Sequence, residues 1–447
     1  MSKTIAAVAT AHGVGGVAII RISGDDASFV ADKIFKGKTP VSQAVPYLMQ
    51  YGKILDFSGG IVDSVMCVYM RAPHSFTGED IVEIHCHGGI LVTQKILELV
   101  LRAGAQMAEP GEFTKRAFLN GKFDLSQAEA VADLINAETD NAACEAVNRM
   151  EGELSKKINS VRDSLLDICA QIMVVSDYPE EDIDEMQKST FRNVITDKMD
   201  ELSELLKTAD VGRFVNEGIF CTIVGKPNTG KSSLLNALLE KDRAIVTDIE
   251  GTTRDVITEE ANIDGIVVKF CDTAGIREAE GIEKIGIEKS YEYIEKSDIC
   301  LVVCDASDFT DDDKNIIEKT KEKKRIIVLN KQDLANMDLK NPSPVIKISV
   351  KKGEGLKDLK KAIVNIASDG EVYSAQRGMI SNLRQKEAVI KAHESLKNAQ
   401  ETLDSGFPPD LAATDLENAI SFLGEITGLT VSEEIINKIF SKFCLGK

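Results

Sequence analysis

The run Gly225-Lys226-Pro227-Asn228-Thr229-Gly230-Lys231-Ser232 has the residue types and spacing of a phosphate-binding loop. Its glycines let backbone N–H groups turn inward around a di- or triphosphate, and the next helix adds its positive N-terminal end. Lys231 is placed to reach the β- and γ-phosphates, and the Ser232 hydroxyl to sit on Mg²⁺. The context fits this chemistry: residues 219–224 are an apolar run that reads as a buried strand, and Ser233 leads a helix start over 233–239.

Three further motifs say which nucleotide is held. Asp272-Thr273-Ala274-Gly275 follows a strand end, with Asp272 for the Mg²⁺ shell and the Gly275 N–H for the γ-phosphate. Apolar runs at 299–304 and 325–329 read as two more strands, the second ending in Asn330-Lys331-Gln332-Asp333. A carboxylate at Asp333 accepts two N–H bonds from N1 and N2 of guanine, whereas adenine would leave it unpaired. Ser349-Val350-Lys351 looks like the last base-contacting loop. Each motif is weak alone; four in this order at strand ends point to GTP. Many small GTPases carry a Gln after Asp-Thr-Ala-Gly to position the attacking water, but here that residue is Ile276. Another group must therefore orient water and neutralise charge. The Asn228 side-chain oxygen is a candidate ligand for a monovalent cation beside the phosphates.

The elements that must hold these residues belong to a chain of 447 residues, enough for two to four domains. A formal net charge of −19 is a poor match to nucleic acid as a whole-molecule field, so RNA contact requires a local patch or a partner's surface. Nine cysteines lack paired spacing, and Cys221, Cys271, Cys300 and Cys304 sit in strand runs, as expected of reduced core residues in a cytoplasmic protein. No apolar run reaches membrane-spanning length, so no membrane role is expected. Met1-Ser2-Lys3-Thr4 runs straight into a strand pattern at 5–9, leaving no room for a targeting peptide. There is no internal repeat.

The first hundred residues read as α+β. Strands are expected at 5–9, 17–22, 51–55, 61–70 and 81–85, and helices at 27–35 and 91–102. Gly13, Gly15 and Ala18 formally match a dinucleotide fingerprint, but β-branched residues follow where a helix must open, so a hairpin turn is expected. His85-Cys86-His87 lacks the further ligands of a zinc site and reads as a strand end turning at Gly88-Gly89. Helical periodicity dominates from 125, with one long helix across 147–175 that breaks near Tyr178-Pro179, and another over 191–209. It resumes at 385–403, 412–427 and 432–443. Neither block alone offers much core, so the economical arrangement is one helical domain with the nucleotide module inserted; two independent helical domains are the alternative. Near the C-terminus, Cys444 stands out as the one cysteine expected in an exposed, flexible place, either an incidental thiol or a nucleophilic or redox group.

Longer stretches carry a resemblance: Arg21-Ile22-Ser23-Gly24, Phe76-Thr77-Gly78-Glu79-Asp80, Pro110-Gly111-Glu112-Phe113-Thr114, Arg116-Ala117-Phe118-Leu119-Asn120, Gln127-Ala128-Glu129-Ala130, Gly251-Thr252-Thr253-Arg254-Asp255 and the ending Phe443-Cys444-Leu445-Gly446-Lys447. Over essentially its whole length the chain resembles the MnmE (TrmE) family of tRNA-modifying GTPases. Leu445 departs mildly from the family's more usual Ile.

The resemblance implies a multidomain α/β and α+β protein. Residues 1–120 would form an α+β folate-binding and dimerisation domain, 121–213 and 373–447 a helical domain, and 214–372 an inserted Ras-like P-loop GTPase domain. It implies folate contacts at Arg21, Glu83, Lys122 and Lys447, to a 5-formyl or methylene tetrahydrofolate. It adds Thr247, Asp248, Ile249, Glu250, Gly251 and Thr252 to the GTP site. It implies K⁺ on Asn228, Thr247, Ile249 and Thr252, Mg²⁺ on Ser232 and Thr253, and a water oriented by Glu283. It also implies a catalytic part for Cys444. K⁺ would take the place of an arginine finger, a role worth roughly 10³–10⁵ in rate. The implied assembly is a homodimer, in a heterotetramer with an FAD-dependent MnmG-type partner that carries much of the tRNA contact. Together they would add an aminomethyl or carboxymethylaminomethyl group to C5 of the wobble uridine. Two other readings remain open: a GTPase switch in ribosome assembly, and a folate enzyme regulated by GTP.

Overall fold

The computed structural model describes residues 3–177, 185–239, 258–272, 293–335, 338, 343–367, 378–405 and 410–446. It divides into two compact units, residues 1–132 with 424–447, and residues 133–423.

The first unit is built on a seven-stranded sheet of β1 (Ile5–Val8), β2 (Ala18–Ser23), β3 (Phe35–Gly37), β4 (Gln50–Leu55), β5 (Ile61–Met70), β6 (Ile81–Cys86) and β7 (Gln106–Met107). The order is β3-β4-β5-β6-β2-β1-β7, antiparallel throughout except for β7 beside β1. Strand β5 alternates between covered and solvated positions towards its end, as expected of an antiparallel sheet with one wet face. Helix α1 (Ala27–Asp32) and helix α2 (Ile90–Arg102) help close the other face, where Val30, Ile96 and Val100 meet Ile20, Ile22 and Ile84. The first helix is shorter than its periodicity predicts. Phe35 opens β3 and pairs with Ile54, and its ring fills the space a side chain would need at Gly37 and Gly52.

After α3 (Glu112–Leu119), α4 (Leu125–Asn136) meets the C-terminal helix Glu433–Phe440 through Leu125, Ala128, Ile436, Phe440 and Phe443. The described residues 433–446 are therefore packed in place. Gly446 at φ +88° lies so close to the Val8 carbonyl that no Cβ fits.

The second unit begins with α5 (Asp140–Met150), α6 (Glu153–Asp177) and α7 (Glu185–Glu217). The single helix expected across 147–175 is broken at Gly152, whose φ of +80° no helix continues through. Helix α7 runs further in both directions than the expected 191–209 and leads through Gly218 alone into β8 (Ile219–Val224). Then come α8 (Lys231–Leu239), β9 (Thr258–Ile263), β10 (Ile266–Asp272), β11 (Ile299–Asp305), α9 (Asp311–Lys319), β12 (Arg325–Asn330), β13 (Val345–Lys347), α10 (Leu356–Ala367), α11 (Leu383–Asp404) and α12 (Asp410–Thr427).

The six-stranded sheet has the order β13-β12-β11-β8-β10-β9, parallel except for the β9–β10 pair. Strands β11 and β12 are buried at every residue, which accounts for their unbroken apolar runs. Ile223, Leu301, Val303 and Val328 face one core, and Cys300, Val302, Cys304 and Leu329 the other.

Helix α7 packs on α11, and the intervening segment Gly378–Ser381 is pinned from below. Arg149, with no exposed surface, donates to Ser381 Oγ at 2.7 Å and Asp133 Oδ2 at 2.7 Å. Glu145 accepts from the Met379 N–H at 3.1 Å, and Thr208 Oγ1 from the Ile380 N–H at 3.3 Å. Burial pushes the Glu145 carboxyl up, against the Met379 N–H and Arg149, which pull it down. Among the described residues, no helix is long and apolar enough to cross a membrane.

Candidate functional site

The phosphate loop joins β8 to α8 at the C-terminal edge of the parallel sheet, the edge where open α/β sheets take their ligands. Two of its residues depend on having no side chain. A Cβ on Gly225 (φ +155°) would strike the Val303 carbonyl, and one on Gly230 (φ +92°) would strike Asn330 Nδ2. Asn228 takes a left-handed φ of +63°, a conformation Asn tolerates better than most. Lys231 is 8% exposed, and its ammonium donates to the carbonyls of Gly225 at 3.0 Å and Lys226 at 2.6 Å. The chain thus folds the phosphate lysine back along its own loop. Ser232 and Ser233 follow in the first turn of α8, both exposed.

The residues expected to read the base lie beside this loop. Asn330 ends β12, donates to the Thr229 carbonyl at 2.9 Å, and accepts from the Val350 N–H at 3.3 Å. Lys331 (φ +62°) donates to the Asn228 carbonyl at 2.9 Å and to Asp305 Oδ2 at 2.6 Å. Asp333 accepts from Ser349 Oγ at 2.7 Å, and that hydrogen bond holds its carboxyl below the usual range. The 349–354 turn closes with paired backbone bonds between Ser349 and Glu354, both 3.1 Å, which leaves Lys351 exposed at its tip. Asn330 and Lys331 thus bond directly to Thr229 and Asn228 of the loop, and Asn330 also holds Val350, the neighbour of the Ser349 that binds Asp333.

Asp305, at the end of β11, was not among the residues the motifs single out. Burial pushes its carboxyl up, but bonds from Lys331 and Ser307 outweigh this and hold it low. The signal was an acid terminating an apolar parallel strand next to the strand that carries Lys331. Asp272 ends β10 in register with Ile223, which brings its backbone beside the strand that feeds the loop. Thr247, Asp248, Ile249, Glu250, Gly251, Thr252, Thr253, Thr273, Ala274, Gly275, Ile276, Glu283 and Lys447 lie outside the described residues.

In the first unit, Arg21 and Glu83 are cross-strand partners on β2 and β6, joined at 2.8 and 2.9 Å. The Arg21 guanidinium lies 5.6 Å from the Phe76 ring centroid and 5.7 Å from that of Phe113. The far Glu83 oxygen is 3.4 Å from His85 Nε2. Lys122 donates to the Pro73 carbonyl at 3.0 Å, and its stem passes Gly78. The ring of Phe123, the next residue, lies 5.9 Å from that of Phe76, tilted by 53°. The loop at 73–78 therefore brings Arg21, Glu83 and Lys122 to one place, with aromatic faces and both signs of charge. Its frame is a buried polar net: Ser23 Oγ meets Thr77 Oγ1 and Glu79 Oε2, each at 2.8 Å, and Arg116 binds Glu79 at 3.0 Å and Glu112 at 2.7 Å. Cys444 is exposed, and its carbonyl accepts from the Gly111 N–H at 3.4 Å, two residues before Phe113. It does not stand alone in exposure, since Cys144 on α5 is exposed too. Cys300 and Cys304 lie inside the sheet, where burial pushes both thiols up to about 12. His87, beyond the end of β6, turns to Asp63 at 2.7 Å, away from His85.

Two family patterns match the chain, the GTP-binding protein TrmE N-terminus over residues 4–122 and the MnmE helical domain over 125–444. The tRNA modification GTPase MnmE of Acetivibrio thermocellus is 46% identical, covering 99% of both chains. Those of Finegoldia magna and Alkaliphilus metalliredigens are each 44% identical, covering all of both chains. This chain belongs to the MnmE family of tRNA modification GTPases. The MnmE fold accounts for the unit seen at the N-terminus, the helices and the P-loop sheet. Among solved structures, the G domain of the T. maritima FeoB iron transporter aligns with 33% of this chain and 98% of its own, at 25% identity and a TM-score of 0.26, a superposition too loose to carry weight.

Proposed function

We propose that this MnmE-family chain hydrolyses GTP in a K⁺-dependent step, and that with an FAD-dependent partner it adds an aminomethyl or carboxymethylaminomethyl group to C5 of the tRNA wobble uridine. The observation that supports the GTP half is that Asn330 and Lys331 are hydrogen-bonded to the phosphate loop, while Asp333, two residues on, is held by Ser349. A carboxylate so placed matches the N1 and N2 edge of guanine. Ser232 offers a hydroxyl oxygen suited to Mg²⁺, and Asn228 an amide oxygen suited to a large monovalent cation. K⁺, when bound, supplies positive charge beside the β- and γ-phosphates. Ile276 cannot orient water, so Glu283 takes that part in this reading.

The folate half rests on the first unit. Glu83 offers a carboxylate for a pterin's amino and N–H edge, and Phe76 and Phe113 offer flat apolar faces. Lys122, with Lys447 from the chain end, suits the acidic tail of the folate. Cys444 belongs to the same unit and is the candidate nucleophile or redox group. The working assembly is a homodimer within a cytoplasmic heterotetramer, in which the flavin partner bears much of the tRNA.

The test is reconstitution of the purified chain with its flavin partner on unmodified tRNA, with GTP, folate or KCl left out in turn and nucleosides read by mass spectrometry. Loss of the modified uridine in each omission is expected. Equal GTP turnover in KCl and NaCl would remove the cation role, and modification without folate would remove the N-terminal assignment.

A further inference from the structure

Lys226 is the second residue of the phosphate loop, and no part of the nucleotide reading uses its side chain. All three donors of its ammonium are nevertheless engaged. They meet Thr310 Oγ1 at 2.9 Å, the Asp308 carbonyl at 2.9 Å and Asp313 Oδ2 at 2.8 Å. Asp313 is wholly buried in the first turn of α9, where it also accepts from the Thr310 N–H at 2.8 Å. This is not a surface ion pair of the kind that contributes little. A buried carboxylate has its cation delivered from the phosphate loop, and removing Lys226 leaves that charge without compensation; the exposed Asp308 carboxylate, 3.7 Å from the ammonium, is the weaker second partner.

The other end of Lys226 is its backbone carbonyl. It accepts from Lys231 Nζ at 2.6 Å and from Thr229 Oγ1 at 3.0 Å. One residue thus has its side chain fixed to α9 while its peptide group holds the ammonium meant for the phosphates. We propose that Lys226 is a positioning residue for GTP binding: its anchor on Asp313 at the start of α9 fixes the loop peptide on which Lys231 rests. The proposal rests on the reading of residues 225–232 as the phosphate loop. It assigns Lys226 no contact with the transferring phosphoryl group, so its effect belongs in nucleotide affinity and not in the chemical step.

The experiment uses the full-length chain and a fluorescent GDP analogue, with steady-state GTP hydrolysis and thermal denaturation run in parallel. Lys226→Met is expected to weaken GDP binding and raise the GTP KM about tenfold, with kcat within about twofold of the parent. Lys226→Arg, whose fork can reach both Asp313 and Thr310, is expected to recover most of the affinity. Asp313→Asn, close in shape, is expected to reproduce the affinity loss. The Lys226→Met/Asp313→Asn double variant is expected to be no worse than the weaker-binding single. Unchanged GDP affinity in Lys226→Met, losses that multiply in the double variant, or a fall in kcat with KM intact would each overturn it. If Lys226→Met does not fold, Lys226→Arg and Asp313→Asn still decide, because an Arg variant as weak as Asp313→Asn refutes the anchor. If the unaltered chain binds no GDP, the phosphate-loop reading itself fails, a result distinct from all of these.

Discussion

Asn330 donates from Nδ2 to the Thr229 carbonyl at 2.9 Å, across 101 positions of sequence. The strand end that carries the residues proposed to read the base is thereby bolted to the loop proposed to hold the phosphates, and Asn330 Oδ1 binds the Val350 N–H as well.

Replacing Asn330 with Ala orphans a buried carbonyl and a backbone N–H, at a cost of about 1–3 kcal/mol. GTP and GDP affinity are expected to fall together by about tenfold or more, as read by titration with a fluorescent guanine nucleotide. A loss confined to GTP would show that the contact senses the γ-phosphate instead.

The Asp333→Asn variant exchanges a double acceptor for a donor and an acceptor. Its preference is expected to swing from GTP to xanthosine triphosphate, with the GTP KM rising about 10²-fold or more. Competition of the two nucleotides for one site measures the swing. Tight binding of adenine nucleotides by the unaltered chain would refute guanine selection.

Arg149 is fully buried between Asp133 and Ser381. Arg149→Met removes the cation beside the buried Glu145 and the bond to Ser381, and is expected to cost about 3–5 kcal/mol. Urea denaturation monitored by circular dichroism should show an earlier midpoint. An unshifted midpoint would mean that Gly378–Ser381 is held by other contacts.

Asp305 titrates low in the folded chain because Lys331 and Ser307 favour its charged form. A carboxyl lowered on folding contributes stability that is full above its unfolded pKa, near 3.9, and is lost as pH falls through the folded value. Asp305→Asn should therefore narrow the stability difference between pH 6 and about pH 3. Identical acid-denaturation profiles for the two proteins would contradict this.

Sequence exposed the parts of this fold whose environments are uniform. Strands β8, β11 and β12 are covered on both faces and therefore read as apolar runs. Strand β9 did not, because Thr258-Glu259-Glu260-Ala261-Asn262-Ile263 is a polar edge strand. Its signal was the Asp264-Gly265 pair, with φ of +51° and +83°, a tight hairpin of the kind two such residues favour. The break at Gly152 was hidden because apolar spacing continues across it. At the site, the motifs gave an expected part for each group, but not that Lys331 is tied to Asp305 or Asn330 to Thr229, since such contacts join segments distant in sequence.

Helix α7 meets β8 with a single glycine between them, and a Cβ added to Gly218 would come within 2.8 Å of the Val267 carbonyl oxygen. At 1.5 Å per residue its 33 residues reach roughly 50 Å. A tilt of about 5° at the strand would sweep the far tip through about 4 Å, the arc of a rigid rod of that reach. An adjustment of about 2 Å at the nucleotide edge, roughly 20 Å along the six residues of β8, would thus leave the helix as a displacement the width of a side chain.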